Sequence, residues 1–235
     1  MTEIWTTDAM PVHYAQYYIV GPHSISNDAD EFRRIREGNT VAAAQPDLLT
    51  VRCGTHTGPI RVTVNRTNVP PGAPSPRWET SVEVSMHASK DLGLQAWGGE
   101  ESPNAGNIAH AGPGWYRILI QTRGRDQGKA LNTANQWVEE HYLTIWPAVP
   151  EAEVVHWIND QVGLGSYSPE REPQLPIFPD PNPNDDAEDS ALRSWAKSSG
   201  FIIDDGEAIP SYIHEAAKLS GYTRSKTEDL QRGEE

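Results

Sequence analysis

Between residues 10 and 148 the chain is cut into short runs, each bounded by glycine or proline, and several of these runs alternate apolar and polar residues with a period of two. Val82, Val84 and Met86 alternate with Glu83 and Ser85, and Tyr116, Ile118 and Ile120 alternate with Arg117 and Gln121. A period of two places one set on a buried face and the other outward, the pattern of a half-buried strand. Candidate strands cover 12–20, 48–53, 60–65, 78–86, 92–96, 115–122 and 141–146. Gly58-Pro59, Pro70-Pro71-Gly72, Gly98-Gly99 and Gly112-Pro113-Gly114 supply the turns between them. About seven short strands so connected predict an antiparallel β-sandwich. One short helix is expected over 29–38, with Asp28 or Asp30 near its start and Gly38 after its end.

Beyond residue 150 the pattern changes. Residues 152–161 read as a last short helix packing Val154, Val155 and Ile158 or Trp157 back on the sandwich. Residues 163–189 then carry six prolines and end in Asn-Asp-Asp-Ala-Glu-Asp, an extended acidic linker with little to bury. Two short helices follow, one from about Ser190 to Ser199 stopped by Gly200, the other opening at Pro210 and ending near Gly221. The expected organisation is a sandwich domain (1–162), the linker (163–189), an all-α two-helix module (190–222) and a disordered polar tail (223–235). The fold class is thus mainly β with a small all-α C-terminal module.

Charge is unevenly spread over the 235 residues. The net charge of −14 arises mostly from residues 151–235, which hold seven Lys and Arg against eighteen Asp and Glu. Such a chain has no general attraction to nucleic acid or anionic membranes, so DNA binding requires a local basic face. The single cysteine, Cys53, excludes an intrachain disulfide, argues against a structural zinc cluster, and reads as a small buried hydrophobe. No apolar run reaches membrane-spanning length and the first residues lack a signal-peptide pattern, which points to the cytoplasm.

Residues 192–217 carry the most specific motif set: Leu192-Arg193-Ser-Trp195-Ala196, Gly200-Phe201, Ile209-Pro210, Ile213 and Ala216. At these spacings the stretch resembles the C-terminal DNA-binding module of the actinobacterial xenogeneic silencers, the H-NS-like nucleoid proteins. The resemblance implies two helices anchored by Trp195, with Pro210 opening the second, and an Arg-Gly-Arg loop that enters the minor groove of AT-rich DNA. Here that loop holds Gly206, Glu207 and Ala208, preceded by Asp204 and Asp205, so its arginines are missing. Arg193, Lys197 and Lys218 remain as candidate DNA contacts. The triple substitution G206R/E207G/A208R adds two positive charges and removes one negative charge nearest the phosphates, each arginine contact being worth about 1–3 kcal/mol. It is expected to create AT-selective, salt-sensitive duplex binding in a chain that otherwise binds such DNA weakly or not at all. A filter-binding titration against AT-rich and GC-rich duplexes checks this; equal, strong AT-selective binding by the unaltered chain contradicts it.

The N-terminal part carries aromatic strand pieces: Val-His-Tyr-Ala-Gln-Tyr-Tyr-Ile-Val at 12–20, Gly-Trp-Tyr-Arg-Ile at 114–118 and Glu-His-Tyr-Leu-Thr-Ile-Trp-Pro-Ala at 140–148. These resemble an uncharacterised actinobacterial family and, more remotely, the small β-sandwich nuclease inhibitors of competence systems. The resemblance speaks to fold and transfers no functional residue.

Candidate chemistry is sparse. Eight histidines are scattered without metal-ligand spacing, and His13, His87 and His141 lie in strand runs suited to hydrogen-bonded structural roles. Glu139-Glu140 and Glu100-Glu101 read as solvated surface pairs, because neighbouring carboxylates point in different directions. Arg123-Gly124-Arg125 reads as a glycine turn leaving a strand, with side chains free to meet a phosphate or acidic partner. The eight tryptophans read as core and rim packing. No nucleophile elbow, phosphate loop or dinucleotide fingerprint is present. No catalytic residue, metal or cofactor is therefore assigned. The expectation is a non-enzymatic DNA- or nucleoid-associated factor with weakened AT-rich DNA binding; the rival is a protein-interaction or inhibitor-like protein with an acidic module for a basic protein partner.

Overall fold

The run 12–20, expected as one strand, instead turns sharply at Tyr14 and Ala15, both with left-handed backbone (φ 53° and 58°), and its halves enter different sheets. The first half ends β1 (Thr2–Val12) and the second is β2 (Gln16–Val20). After them come α1 (Asp28–Glu37), β3 (Ala42–Gln45), β4 (Leu48–Arg52), β5 (Gly58–Thr67), β6 (Thr80–Ala88), β7 (Gly93–Ala96) and β8 (Gly114–Arg123). The chain continues through α2 (Arg125–Leu131), β9 (Glu140–Pro147), β10 (Val154–Ile158), α3 (Gln161–Leu164) and α4 (Ser211–Leu219). This computed structural model describes residues 2–21, 28–99, 102–179, 192–193, 196 and 209–219. The chain divides into two compact units, Met1–Ile177 and Phe178–Glu235.

The first unit packs a six-stranded sheet, ordered β1-β5-β9-β8-β6-β10, against a four-stranded sheet, ordered β3-β4-β2-β7. One core joins both: Tyr17, Ile19, Leu49 and Val51 from the smaller sheet meet Val62, Val64, Val84, Ile118, Ile120, Leu143 and Ile145 from the larger. The sandwich is mixed and not purely antiparallel, because β9 lies between β5 and β8 and runs parallel to β5, with Val62 beside His141 and Arg66 beside Ile145. A parallel partner needs a long crossover, and residues 68–139 provide it. The expected helix over 152–161 is instead β10, paired with β6 at the sheet edge, followed by the single turn of α3. Its Val-Val-His-Trp-Ile sequence suits a strand, where β-branched side chains lose little freedom.

Part of the expected linker is also ordered within this unit. Glu153 accepts from the Gln174 amide (3.0 Å) and pairs with Arg171, and the Gln174 side chain donates to the Arg34 carbonyl (2.8 Å). Asp160 caps α3 by accepting from Gly163 N (2.7 Å), so Gly163 begins a packed turn and not a linker.

In the second unit, Leu192, Arg193 and Ala196 are helical, and α4 follows Pro210, whose carbonyl accepts from Ile213 N (2.9 Å). Leu192, Ala196, Ile209, Ile213 and Ala217 form a small core against Tyr212, with Ile213 and Ala217 one turn apart on one helix face. Trp195, Lys197, and the loop residues Asp205, Gly206, Glu207 and Ala208 lie outside the described residues. Among the described residues, no helix is long and apolar enough to cross a membrane.

Candidate functional site

Glu139 directly precedes β9 and His141 is its second residue, and in this extended stretch both side chains leave on one side while Glu140 leaves on the other. That side faces the smaller sheet, and the loop after β4 closes over it. The Glu139 carboxylate accepts from the amides of Gly54 (2.9 Å) and Thr55 (2.7 Å), the Thr55 hydroxyl (2.7 Å) and His141 Nε2 (2.9 Å). His141 Nδ1 lies 3.1 Å from the hydroxyl of Tyr17 on β2. The sulfur of Cys53, a carboxylate oxygen of Glu139 and a ring nitrogen of His141 all lie within 4.8 Å of one another. Tyr17, Glu139 and His141 are wholly buried, and Cys53 is 1% exposed.

This close approach depends on glycine. A Cβ on Gly54 would sit 1.8 Å from the Arg125 carbonyl oxygen, and one on Gly128 would sit 2.7 Å from the Glu139 carboxylate. Beside the network is a second buried pair. Gly124 turns with φ 79°, and Arg125, opening α2, passes inward to Asp160 (3.2 Å) and the Thr40 carbonyl (2.9 Å), while Thr80 also bonds Asp160.

Two expectations are thereby corrected. Glu139 and Glu140 do point apart, but neither is solvated surface: Glu139 enters the network and Glu140, 8% exposed, pairs with Arg123. The glycine turn at Gly124 is present, yet Arg125 is fully buried and reaches no external phosphate or acidic partner. The sequence did hold a signal for this cluster, the Glu-x-His spacing leading into a strand; its burial depended on the distant loop 53–57.

Burial is the largest influence on the ionisation of the cluster. Burial, then the Glu139 charge, pushes the Cys53 thiol well above its usual range, with Arg125 opposing. Burial likewise raises the Tyr17 phenol well above its usual value, with Cys53 and Glu139 adding to the shift. Burial also disfavours ionised Glu139, but hydrogen bonds from His141 and the Thr55 and Gly54 amides outweigh it and hold the carboxyl below its usual value. A neutral, enclosed thiol is a poor nucleophile. A catalytic centre also needs a cleft, and these groups do not reach the surface.

The same loop has an outer face. The His56 ring packs edge-on to Tyr14 (5.5 Å between centroids), and Tyr14 packs against Trp97 (4.5 Å). Tyr14 is 57% exposed and Trp97 37%, so this aromatic cluster stands at the surface. The turn beneath it is tied down: Ala15 N donates to His56 O (3.1 Å), and Cys53 N donates to Ala15 O (2.9 Å). Trp97 precedes Gly98 and Gly99, both left-handed (φ 71° and 76°). Non-glycine residues in that region each cost on the order of 1–3 kcal/mol and persist where surrounding structure over-determines them. The buried network thus supports the base of an exposed aromatic cluster.

Of the candidate DNA contacts, only Arg193 has a described side chain. Arg193 is half-buried on its helix, Lys197 lies outside the described residues, and Lys218 is on the backbone of α4 with its side chain outside them. Elsewhere, a shallow groove beside β3 is lined by Asn39, Glu153 and Gln174, whose polar groups are bonded to one another or to backbone.

Fold and site together define a mixed β-sandwich with a sealed polar cluster beneath an exposed aromatic end. No family model matches the chain, and no curated protein does. Among solved structures, the chain is similar to a protein described as crocagin biosynthetic gene J, at 14% identity and a TM-score of 0.40, covering 63% of this chain and 98% of that one. It is also similar to ComJ, inhibitor of the DNA-degrading activity of NucA, from Bacillus subtilis, at 12% identity and a TM-score of 0.43, covering 63% and 99%. Likeness at this level does not extend to activity. The resemblance of residues 192–217 to the silencer module has no counterpart in these comparisons.

Proposed function

We propose that this chain is a non-enzymatic interaction factor that binds a basic protein partner through the aromatic end of its sandwich. The observation that carries this reading is the Tyr14–Trp97–His56 cluster, which holds two large rings at the surface, Tyr14 on a left-handed backbone that is costly to keep. Tyrosine and tryptophan supply large contact area for little lost side-chain freedom and dominate the energetic centres of protein interfaces. Leu131, 51% exposed at the end of α2, extends the same face, since the adjoining Asn132 carbonyl accepts from the His56 and Thr57 amides. The net charge of −14 favours a basic partner and opposes DNA. The DNA-associated reading, with Arg193, Lys197 and Lys218 as contacts, has no comparable assembled surface among the described residues.

A photo-crosslinking amino acid placed at position 14 of the full chain tests this in cells. The expected result is one dominant protein adduct, with Lys and Arg in excess of Asp and Glu. It should weaken at least tenfold in a Trp97→Ala background and decline as salt rises. The same probe at Val69, equally exposed but outside the cluster, should give no such adduct. Identical adducts at both positions, or none at position 14 in a folded chain, overturn the reading.

A further inference from the structure

We propose that Cys53, Glu139 and His141 bind one divalent transition-metal ion of the zinc type, with a water completing the tetrahedron, in a structural role because the site is sealed from substrate. The donors are one sulfur, one carboxylate oxygen and one imidazole nitrogen within 4.8 Å of one another, a mixed set that suits zinc. Magnesium and calcium require oxygen ligands throughout and do not fit it. His141 Nε2 and the Glu139 oxygen are 2.9 Å apart, and a separation of about 0.5 Å brings them to the spacing of about 3.4 Å that bonds of about 2.1 Å around a tetrahedral ion impose.

The surroundings also match a ligand cage. The Glu139 carboxylate is oriented by two backbone amides and the Thr55 hydroxyl, and His141 Nδ1 faces the Tyr17 hydroxyl, so the ion would take the place of the present Nε2–Glu139 hydrogen bond. Ligating histidines characteristically use their other ring nitrogen in this way, which fixes ring and tautomer. Charge closes as well. One thiolate and one carboxylate cancel a divalent cation, and the neighbouring Arg125–Asp160 pair is neutral by itself. Binding releases one proton, from the Cys53 thiol to solvent, and moves the ring proton that Nε2 now shares with Glu139 to Nδ1, where the Tyr17 oxygen accepts it.

The ion would join the two sheets, because Cys53 follows β4 in one and His141 lies on β9 in the other. Complete burial means that it enters during folding and leaves only on unfolding. This inference is independent of the docking reading above, since the ligands lie inside and the aromatic cluster outside.

The test uses the full chain, produced in medium supplemented with zinc or with cobalt, and washed with chelator while folded. One equivalent of zinc should remain through the wash and be released when guanidinium unfolds the chain in the presence of a chromophoric chelator. The cobalt form should show a thiolate-to-cobalt charge-transfer band in the near ultraviolet. Because the chain has one cysteine, that band reports Cys53 without any variant. Cys53→Ser should abolish the band and lower metal retention at least tenfold. A folded chain lacking both the retained zinc and the cobalt band overturns the proposal. So does a chain whose bound metal gives no thiolate band, or is retained equally by Cys53→Ser.

Discussion

Glu139→Ala is expected to destabilise the first unit by about 3–5 kcal/mol, enough to remove its cooperative unfolding transition if its stability is typical of a domain. The carboxylate is wholly buried and receives four donors: the amides of Gly54 and Thr55, the Thr55 hydroxyl and His141. Removing it leaves those donors without water or protein partners, at about 1–3 kcal/mol for each group left unsatisfied. The loop 53–57 would lose its anchor, and the exposed aromatic end its base. Glu140→Gln is the internal control. Glu140 is buried but pairs with Arg123, whose side chain is 45% exposed and keeps water as a partner when the charge is removed, so its loss costs about 1 kcal/mol. Urea unfolding followed by tryptophan fluorescence measures both. Equal small effects, each under about 1 kcal/mol, would show that the buried network contributes nothing to stability.

Arg125→Met is expected to cost about 3–5 kcal/mol, because it leaves the wholly buried Asp160 without its cation. Asp160 would keep its hydrogen bonds from Thr80 and Gly163 N, but these do not neutralise it. The double variant R125M/D160N removes both charges and should be more stable than the sum of the single changes by about 0.5–3 kcal/mol. Its residual loss reflects the Thr40 carbonyl left without the Arg125 donor and the weakened cap of α3. The double-mutant cycle by urea unfolding decides the matter. Strict additivity would mean that the two residues act separately and that Arg125 serves only as packing volume.

What the sequence determined by itself was local. Alternation at 82–86 and 116–120, with the glycine and proline turns around them, placed most central strands within a few residues, because side-chain direction follows from the backbone period of the strand itself. The tertiary structure decided which distant segment covers each face. Residues 53–57 buried Glu139, a carboxylate that reads as solvent-facing, and residue 160 drew Arg125 inward from a turn that reads as exposed. It also decided that β9 inserts parallel to β5, that 154–158 joins a sheet edge as a strand, and that the run 12–20 divides between two sheets at Tyr14 and Ala15. The physical reason is the same throughout. Strand direction and periodicity are properties of neighbouring residues, whereas pairing, burial and the resulting charge states are free energies of contact between segments far apart along the chain.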